Sequence, residues 1–516
     1  MKMRKLFAGI AAAATLLGGM ALGAASAQAD GASTTAGSGA IVTNEANFKF
    51  TAQNAKQLTN RKLNAYKIAD YVQYGTGSDA MYGVQTAGTV TNKSVIKAAL
   101  EAAVKGTAKS VPADGSDLMA WALAEGVLDT TESSKDTASG AWKNGASRKF
   151  VETLKTKTDM LGDSTVVDLG KNLAKDGLSA TVKLPAGLYL FVDADYSAGT
   201  NKDATPSIAI LVGSGNVENG VLNPSIEATV DIKNQTTTVS KTVSAATASV
   251  GQTVTYTITS KVPQNTQYYS DYAYTYTDTP SAGQTVNLNS LKVKVANAEL
   301  KKDMDYTVTG GANGQPFTVA ICSIQTQRAG AEIAVTYKAT VTSEEAAGSK
   351  AVTNTVVLSD NGAEATDSTT VTNSGFSFTK TDAQGNPLAG ATFTINVPGV
   401  KTPFTAASDE NGKVTFKGLA DGTYEVNETT VPDGFQQSLK ARFEVTIENG
   451  KAQFKGADVW GLAPKESSDT YKVKNVKNVT QLPLTGAAGT TLFTVVALLV
   501  AGAGVTVAVK SRQRMH

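Results

Sequence analysis

Thr253-Val254-Thr255-Tyr256-Thr257-Ile258-Thr259 alternates without a break, with Val, Tyr and Ile on one face and threonines on the other. β-Branched residues sit well on a pleated surface, so the stretch predicts a half-buried strand with a threonine-rich outer face. Val352-Thr353-Asn354-Thr355-Val356-Val357 closes the same region in the same style, and Gly, Asn and Asp turns separate the runs between about residues 230 and 373. Helical periodicity is nearly missing there, which predicts a β-sandwich. Residues 374–480 repeat the theme in a smaller unit of immunoglobulin-like size. Phe376-Ser377-Phe378-Thr379-Lys380 opens it, Asp382-Ala383-Gln384-Gly385-Asn386-Pro387 turns it, and Tyr471-Lys472-Val473-Lys474-Asn475 closes it.

Upstream, residues 30–229 mix two periodicities. Between Asn92 and Lys105, Ile96, Ala99, Leu100, Ala103 and Val104 recur at helical spacing, and Ser116 stands where it would cap a second helix through Leu118, Trp121 and Leu128. Phe48-Lys49-Phe50-Thr51 and Leu188-Tyr189-Leu190-Phe191-Val192 read as strands. The expected fold is therefore mainly β: tandem immunoglobulin-like β-sandwiches behind an N-terminal β module decorated with helices.

Composition narrows the chemistry. The 516 residues suffice for several domains, and 47 basic against 45 acidic residues leave a net charge of +2, so no charge excess marks a nucleic-acid partner. Cys322 is the only cysteine and His516, the last residue, the only histidine. Ser-His-Asp, Cys-His and His-ligated metal chemistry need an imidazole inside a folded domain, so these classes are excluded and no metal or cofactor is expected. The carboxylates of residues 30–229 show no spacing that separates a glycosidase pair from solvated charge. One cysteine permits no internal disulfide. Within Val319-Ala320-Ile321-Cys322 it reads as a small buried apolar residue.

Both ends carry addressing signals. Met1-Lys2-Met3-Arg4-Lys5, an Ala/Leu/Gly run and two overlapping A-x-A sites ending at Ala29 have the layout of a secretory signal peptide, so residues 1–29 are expected to be removed. At the other end, within 482–516, Leu482-Pro483-Leu484-Thr485-Gly486 precedes an apolar stretch from Thr491 to Val509 and a basic tail. Such a stretch just spans a bilayer, and the basic tail places the body of the protein outside the cell. The three parts in this order resemble the sorting signal of Gram-positive surface proteins. In that family a sortase cleaves between the Thr and Gly, here Thr485 and Gly486, and hands the Thr carbonyl to an amine.

The third unit carries a further resemblance. Gly422-Thr423-Tyr424-Glu425-Val426-Asn427-Glu428-Thr429-Thr430-Val431-Pro432-Asp433-Gly434-Phe435 is similar to the E-box of sortase-assembled backbone pilins and their isopeptide-forming (CnaA- and CnaB-like) domains. The resemblance implies that Glu428 sits beside a first-strand lysine, Lys380, and a last-strand asparagine, Asn475, with Asn478 in an identical Val-Lys-Asn triplet as rival acceptor. It departs from the family in having Thr-Val before Pro432 where Ala-Pro is more usual. The middle unit offers a similar trio, Lys241, Asp278 and Asn354. A buried lysine loses the hydration of its charged form and becomes a nucleophilic amine, and a shared carboxyl can polarise the Asn amide and shuttle protons, so each trio predicts a Lys–Asn isopeptide formed with release of ammonia.

Polymerisation of such pilins uses an outward amine. Val230-Asp231-Ile232-Lys233-Asn234 lies where the pilin motif falls, with Asp-Ile in place of the family's aromatic and Pro, which points to Lys233. The implied protein is a cell-surface, wall-anchored shaft subunit of a fimbria that supports adhesion, a sortase substrate rather than an enzyme, joined from Thr485 to Lys233 of the next copy. Implied partners are a class C polymerising sortase, then a housekeeping sortase, further copies of the chain, peptidoglycan, minor or tip pilins and a host ligand. The alternative is a monomeric wall-anchored adhesin whose first module binds a host target while the sandwiches form a stalk. Under the Thr485–Lys233 join, tension bypasses the first module, which is therefore expected to lack an internal crosslink.

Overall fold

The computed structural model describes residues 39–76, 81–113, 115–128, 145–194, 201–218, 221–223, 227–269, 271–311, 314–342, 352–456, 458–464 and 471–482. Among them no helix is long and apolar enough to cross a membrane. The expected signal peptide, Pro483, Thr485, Gly486 and the apolar C-terminal stretch lie outside the described residues.

The chain is mainly β, as the alternating runs predict. In the first unit, the long strand Lys62–Tyr74 pairs with Met81–Thr86, Thr165–Asp168 and Leu188–Asp193, and a smaller sheet holds Glu45–Thr51 between Ser179–Pro185 and Ala228–Asp231. Phe48 and Phe50 alternate into a core with Phe191, their rings edge-on at 5.6 and 5.0 Å. The helix Ser94–Val104 buries Ile96, Ala99, Leu100, Ala103 and Val104, the stripe its spacing predicts. The second helix, Leu118–Ala124, departs from expectation. Asp117, one residue after Ser116, is its cap, accepting from the N–H groups of Met119 and Ala120. A carboxylate there also meets the positive helix end, and it further accepts from Thr86 N at 2.9 Å, which a serine hydroxyl in the preceding position does not supply. The helix stops before Leu128 because Gly126 takes φ 54°. A third helix, Ala146–Lys155, lies between Phe150, Val151 and Leu154 on its buried side and a charged outer face.

The middle unit is two packed five-stranded sheets. One runs Ser240–Val243, Thr253–Lys261, Glu332–Val341, Gln284–Val295, Ala298–Glu299; the other runs Tyr306–Gly310, Phe317–Ile321, Tyr274–Pro280, Val352–Asp360, Ala363–Val371. Val254, Tyr256 and Ile258 point inward, as their alternation requires. Asn361 and Gly362, both at positive φ, turn Val352–Asp360 into one more strand, Ala363–Val371, which closes the sheet. Cys322 is exposed, contrary to its reading as a core residue. Phe317, Val319 and Ile321 take the inward positions, and period-2 alternation sends the next residue out.

In the third unit, Ser374–Thr381 lies between Lys413–Leu419 and Lys472–Lys474, facing a five-stranded sheet ordered Phe404–Ala407, Thr392–Ile395, Gly422–Thr430, Arg442–Glu448, Lys451–Gly456. First and last strands are parallel neighbours, with Lys380 opposite Val473 and Thr381 opposite Lys474. Parallel pairing of chain ends needs a long crossover, and here the rest of the unit is that crossover. The two sandwiches meet through Val250 N to Gly418 O (2.8 Å) and Ala420 N to Ser249 Oγ (2.8 Å).

Candidate functional site

The third-unit trio assembles from both sheets. Register places Lys380 near the end of the first strand, and Asn475 follows the last strand directly, its N–H donating to Thr381 O at 2.9 Å. Glu428 comes from the facing sheet, where its Oε2 accepts from Ala441 N at 2.9 Å and from Asn475 Nδ2 at 3.2 Å. Lys380 Nζ lies 3.2 Å from Glu428 Oε1, with both side chains fully buried. The contact is an ion pair without hydrogen-bond geometry, so Nζ, Glu428 Oε1 and Asn475 Oδ1 have no hydrogen-bond partner in the pocket. Phe393 lies under Nζ, 5.6 Å from ring centroid to amine. Desolvation dominates the Glu428 charge and pushes the amine down to about 8. Asn478, the rival acceptor, is exposed and starts a short turn, with Thr480 Oγ1 donating to its side-chain oxygen at 2.5 Å.

The middle-unit trio spans the sandwich. Lys241, from the edge strand of one sheet, reaches Asp278 on the other, where the adjacent strand carries Asn354. Lys241 Nζ donates to Asp278 Oδ2, and Tyr337 binds all three members: its hydroxyl donates to Asp278 Oδ2 (2.8 Å) and accepts from Lys241 Nζ (2.8 Å) and Asn354 Nδ2 (2.8 Å). The rings of Tyr256 and Tyr337 each lie 5.2 Å from the amine. Burial lowers the Lys241 amine and raises the Asp278 carboxyl from their ordinary values, outweighing their mutual attraction. Asp278 Oδ1 and Asn354 Oδ1 lack donors, repeating the pattern of the third unit. Sequence reading missed Tyr337. The available signal was an inward tyrosine in Val335-Thr336-Tyr337, since a buried hydroxyl requires a polar partner.

In chemical terms, each pocket is dry and holds an amine stripped of hydration, a carboxyl and a primary amide. That is the inventory for amide aminolysis with the carboxyl as proton shuttle.

Lys233 lies just beyond Ala228–Asp231, a strand that runs across residue 229 and pairs in parallel with Glu45–Thr51 of the first unit. Its N–H donates to Ser207 Oγ at 3.2 Å, and its carbonyl accepts from Ile208 N at 3.1 Å and from Asn265 Nδ2 of the middle unit at 3.3 Å. The side chain is half-buried, and desolvation lowers its amine despite the opposing field of Asp231. The residue is thus a partly dried amine at the joint between two units, not a freely solvated surface lysine. Leu482, the last described residue, is buried in the third-unit core.

The first unit holds a buried pair of another kind. Arg61 Nη1 contacts Asp193 Oδ2 at 2.8 Å, and its Nη2 donates to Ala204 O and Thr205 O. A guanidinium keeps its proton and is no acyl acceptor, so this pair is a structural pin.

Residues 374–458 match the SpaA family, described as a prealbumin-like fold domain, residues 474–514 match the LPXTG cell wall anchor motif, and residues 229–374 match the Sgo0707 N2 domain. No curated protein matches the sequence. Among solved structures, the T6 backbone pilin of serotype M6 Streptococcus pyogenes, described as having a modular three-domain structure, is 15% identical, with a TM-score of 0.52 over 85% of this chain and 100% of that one. The full-length major pilin SpaD of Corynebacterium diphtheriae (14% identical, TM-score 0.46, 84% and 98% covered) and the major pilin subunit BcpA of Bacillus cereus (16%, 0.42, 84% and 99%) are more distant in shape. The chain therefore combines a SpaA-type domain and a cell-wall anchor motif with the fold of a three-domain backbone pilin.

Proposed function

We propose that the chain is the shaft subunit of a covalently polymerised cell-surface fimbria, supporting adhesion, and that both sandwiches are locked by internal isopeptide bonds. The observation that carries this reading is the pair of dry Lys–carboxyl–Asn trios in tandem units ahead of a sorting motif. In each, Nζ attacks the asparagine Cγ, a C–N bond forms, the bond to Nδ2 breaks, and ammonia leaves with a proton relayed from the amine by the carboxyl. A proton on the carboxyl also supplies the donor that the orphaned amide oxygen lacks. Glu428 serves Lys380 and Asn475; Asp278 serves Lys241 and Asn354, with Tyr337 orienting both.

Polymerisation follows from the anchor. A sortase cysteine takes the Thr485 carbonyl as a thioester, releasing the segment that begins at Gly486, and the Lys233 amine of another copy displaces the thiolate to form an amide. A class C sortase fits this step, and a housekeeping sortase fits the final transfer to peptidoglycan. Tension then runs from residue 233 to residue 485 and bypasses the first unit. Peptide mapping of the mature protein is expected to find no Lys–Asn bond within residues 30–229.

The test is a wall extract boiled in SDS. A ladder of high-mass species supports the shaft, and one monomer-sized band overturns it in favour of a wall-anchored monomer. Separately, the mature chain is expected to weigh two ammonias less than its sequence. Glu428→Ala and Asp278→Ala each restore one ammonia, and a wild-type chain at full sequence mass defeats the crosslinks.

The reaction also has a pH signature. The reactive arrangement, amine plus protonated carboxyl, contains the same single proton as the ion pair, so the rate tracks the one-proton state of the pair. With the Lys380 amine pushed down to about 8, that proton is lost above this pH. Crosslinking in chain isolated unfolded before any bond has formed and then refolded, followed by mass, is expected to slow above pH 8 by about tenfold per unit. A rate that climbs instead would show that the bare amine suffices without the acid.

A further inference from the structure

Lys233 is gripped from two sides. On the first unit, Gln57 Nε2 donates to Asn234 O (2.7 Å), Asn234 Nδ2 donates back to Gln57 O (2.9 Å), and Ser207 Oγ accepts from Lys233 N (3.2 Å). On the middle unit, Asn265 Nδ2 donates to the Lys233 carbonyl (3.3 Å) and to Tyr269 Oη (3.2 Å), while the Tyr269 hydroxyl donates to Pro206 O. Gln57, Asn234, Asn265 and Tyr269 are all buried, so these bonds face little competition from water. The backbone that carries the lysine is therefore held from both sides only where both units are folded and docked.

We infer that this joint is an assembly checkpoint: Asn265 and Tyr269 are positioning residues that make Lys233 a competent acyl acceptor only when the first and middle units are packed together. The inference rests on the reading of Lys233 as the polymerising amine. Two physical effects act together. The clamp fixes the backbone from which the amine reaches the thioester, and the closed joint strips water from the side chain, leaving more of it as free amine. Parting the units rehydrates the lysine, and Asp231, the charged group whose field reaches it, then favours the ammonium form. A misfolded or half-folded copy is thus passed over by the polymerising enzyme.

The test uses the full extracellular chain with purified polymerising sortase. In the double variant Asn265→Ala with Tyr269→Phe, polymerisation at neutral pH is expected to fall at least about tenfold, since three buried bonds are lost, Asn265 to the Lys233 carbonyl, Asn265 to Tyr269 and Tyr269 to Pro206. Its mass is expected to stay two ammonias light, which shows that both sandwiches have folded. Because the rehydrated amine needs a higher pH to shed its proton, the rate profile shifts to alkaline pH and the deficit narrows there, which a merely looser fold does not produce. Tyr269→Phe alone keeps the edge-on ring contact with Tyr272, at 5.1 Å, and is expected to show a smaller fall in the same direction. Wild-type rates and an unshifted profile in the double variant overturn the checkpoint alone. A Lys233→Ala chain that still polymerises overturns the reading of Lys233, and the checkpoint with it.

Discussion

Replacing Lys233 by alanine is expected to collapse the SDS-resistant ladder of the cell wall to a single monomer-sized band, while leaving the internal masses of both sandwiches unchanged. The effect is all-or-none because an amide link needs an amine, and alanine supplies none. Lys233 has lost hydration at the joint, which leaves more of it as the free, nucleophilic amine. Lys241 and Lys380 are also dried, but they are sealed inside sandwiches beyond the reach of an enzyme. Lys233→Arg gives the same collapse, since a guanidinium keeps charge and shape but stays protonated. A ladder that survives either substitution assigns the join to another lysine. The measurement is an immunoblot of boiled wall extract, with peptide mapping for the Thr485–Lys233 amide.

Removing the third-unit crosslink is expected to lower the stability of that unit by about 4 to 5 kcal/mol, the chain-entropy value for closing a loop of roughly 95 residues. In calorimetry of Asn475→Ala, the transition of this unit drops by at least about 15 °C, since about 1 kcal/mol moves a domain of this size by several degrees. The variants have an expected order. Lys380→Met removes the bond and the amine and fills the space with an apolar chain, while Glu428 keeps its donors Ala441 N and Asn475 Nδ2, so the loss beyond the crosslink is the smaller one. Glu428→Ala loses the bond and also strands the Lys380 amine in a dry pocket without its partner, so it is the least stable of the three. A Glu428→Ala transition as high as that of Lys380→Met would mean that the amine is already neutral and indifferent to the carboxyl. An Asn475→Ala unit that melts with the wild type would remove the crosslink from the account of stability.

Much of this architecture is local and therefore readable along the chain. Period-2 alternation in Thr253–Thr259 and the 3.6 spacing from Ile96 to Val104 fix which face each element buries, and the structure buries those faces. The lysines, carboxylates and asparagines of both pockets are visible by type, and motif similarity points to their positions.

Other features depend on register between segments far apart in sequence. Asn475 and Asn478 sit in identical triplets, and only the pairing of Lys472–Lys474 with the first strand turns one toward Glu428 and leaves the other in water. Tyr337 looks like any inward strand tyrosine until packing of the two sheets brings its hydroxyl between Lys241, Asp278 and Asn354. Asp117 takes the cap beside Ser116 because Thr86, on a separate strand, gives its carboxylate a second use. The hold on the Lys233 carbonyl comes from Asn265 of a neighbouring unit, which no local pattern announces. Sequence alone thus determined which groups exist and which face of its own element each occupies, because backbone geometry repeats every few residues. Tertiary structure decided which of them share a dry pocket, because desolvation and hydrogen bonding depend on what the rest of the chain brings within a few ångströms.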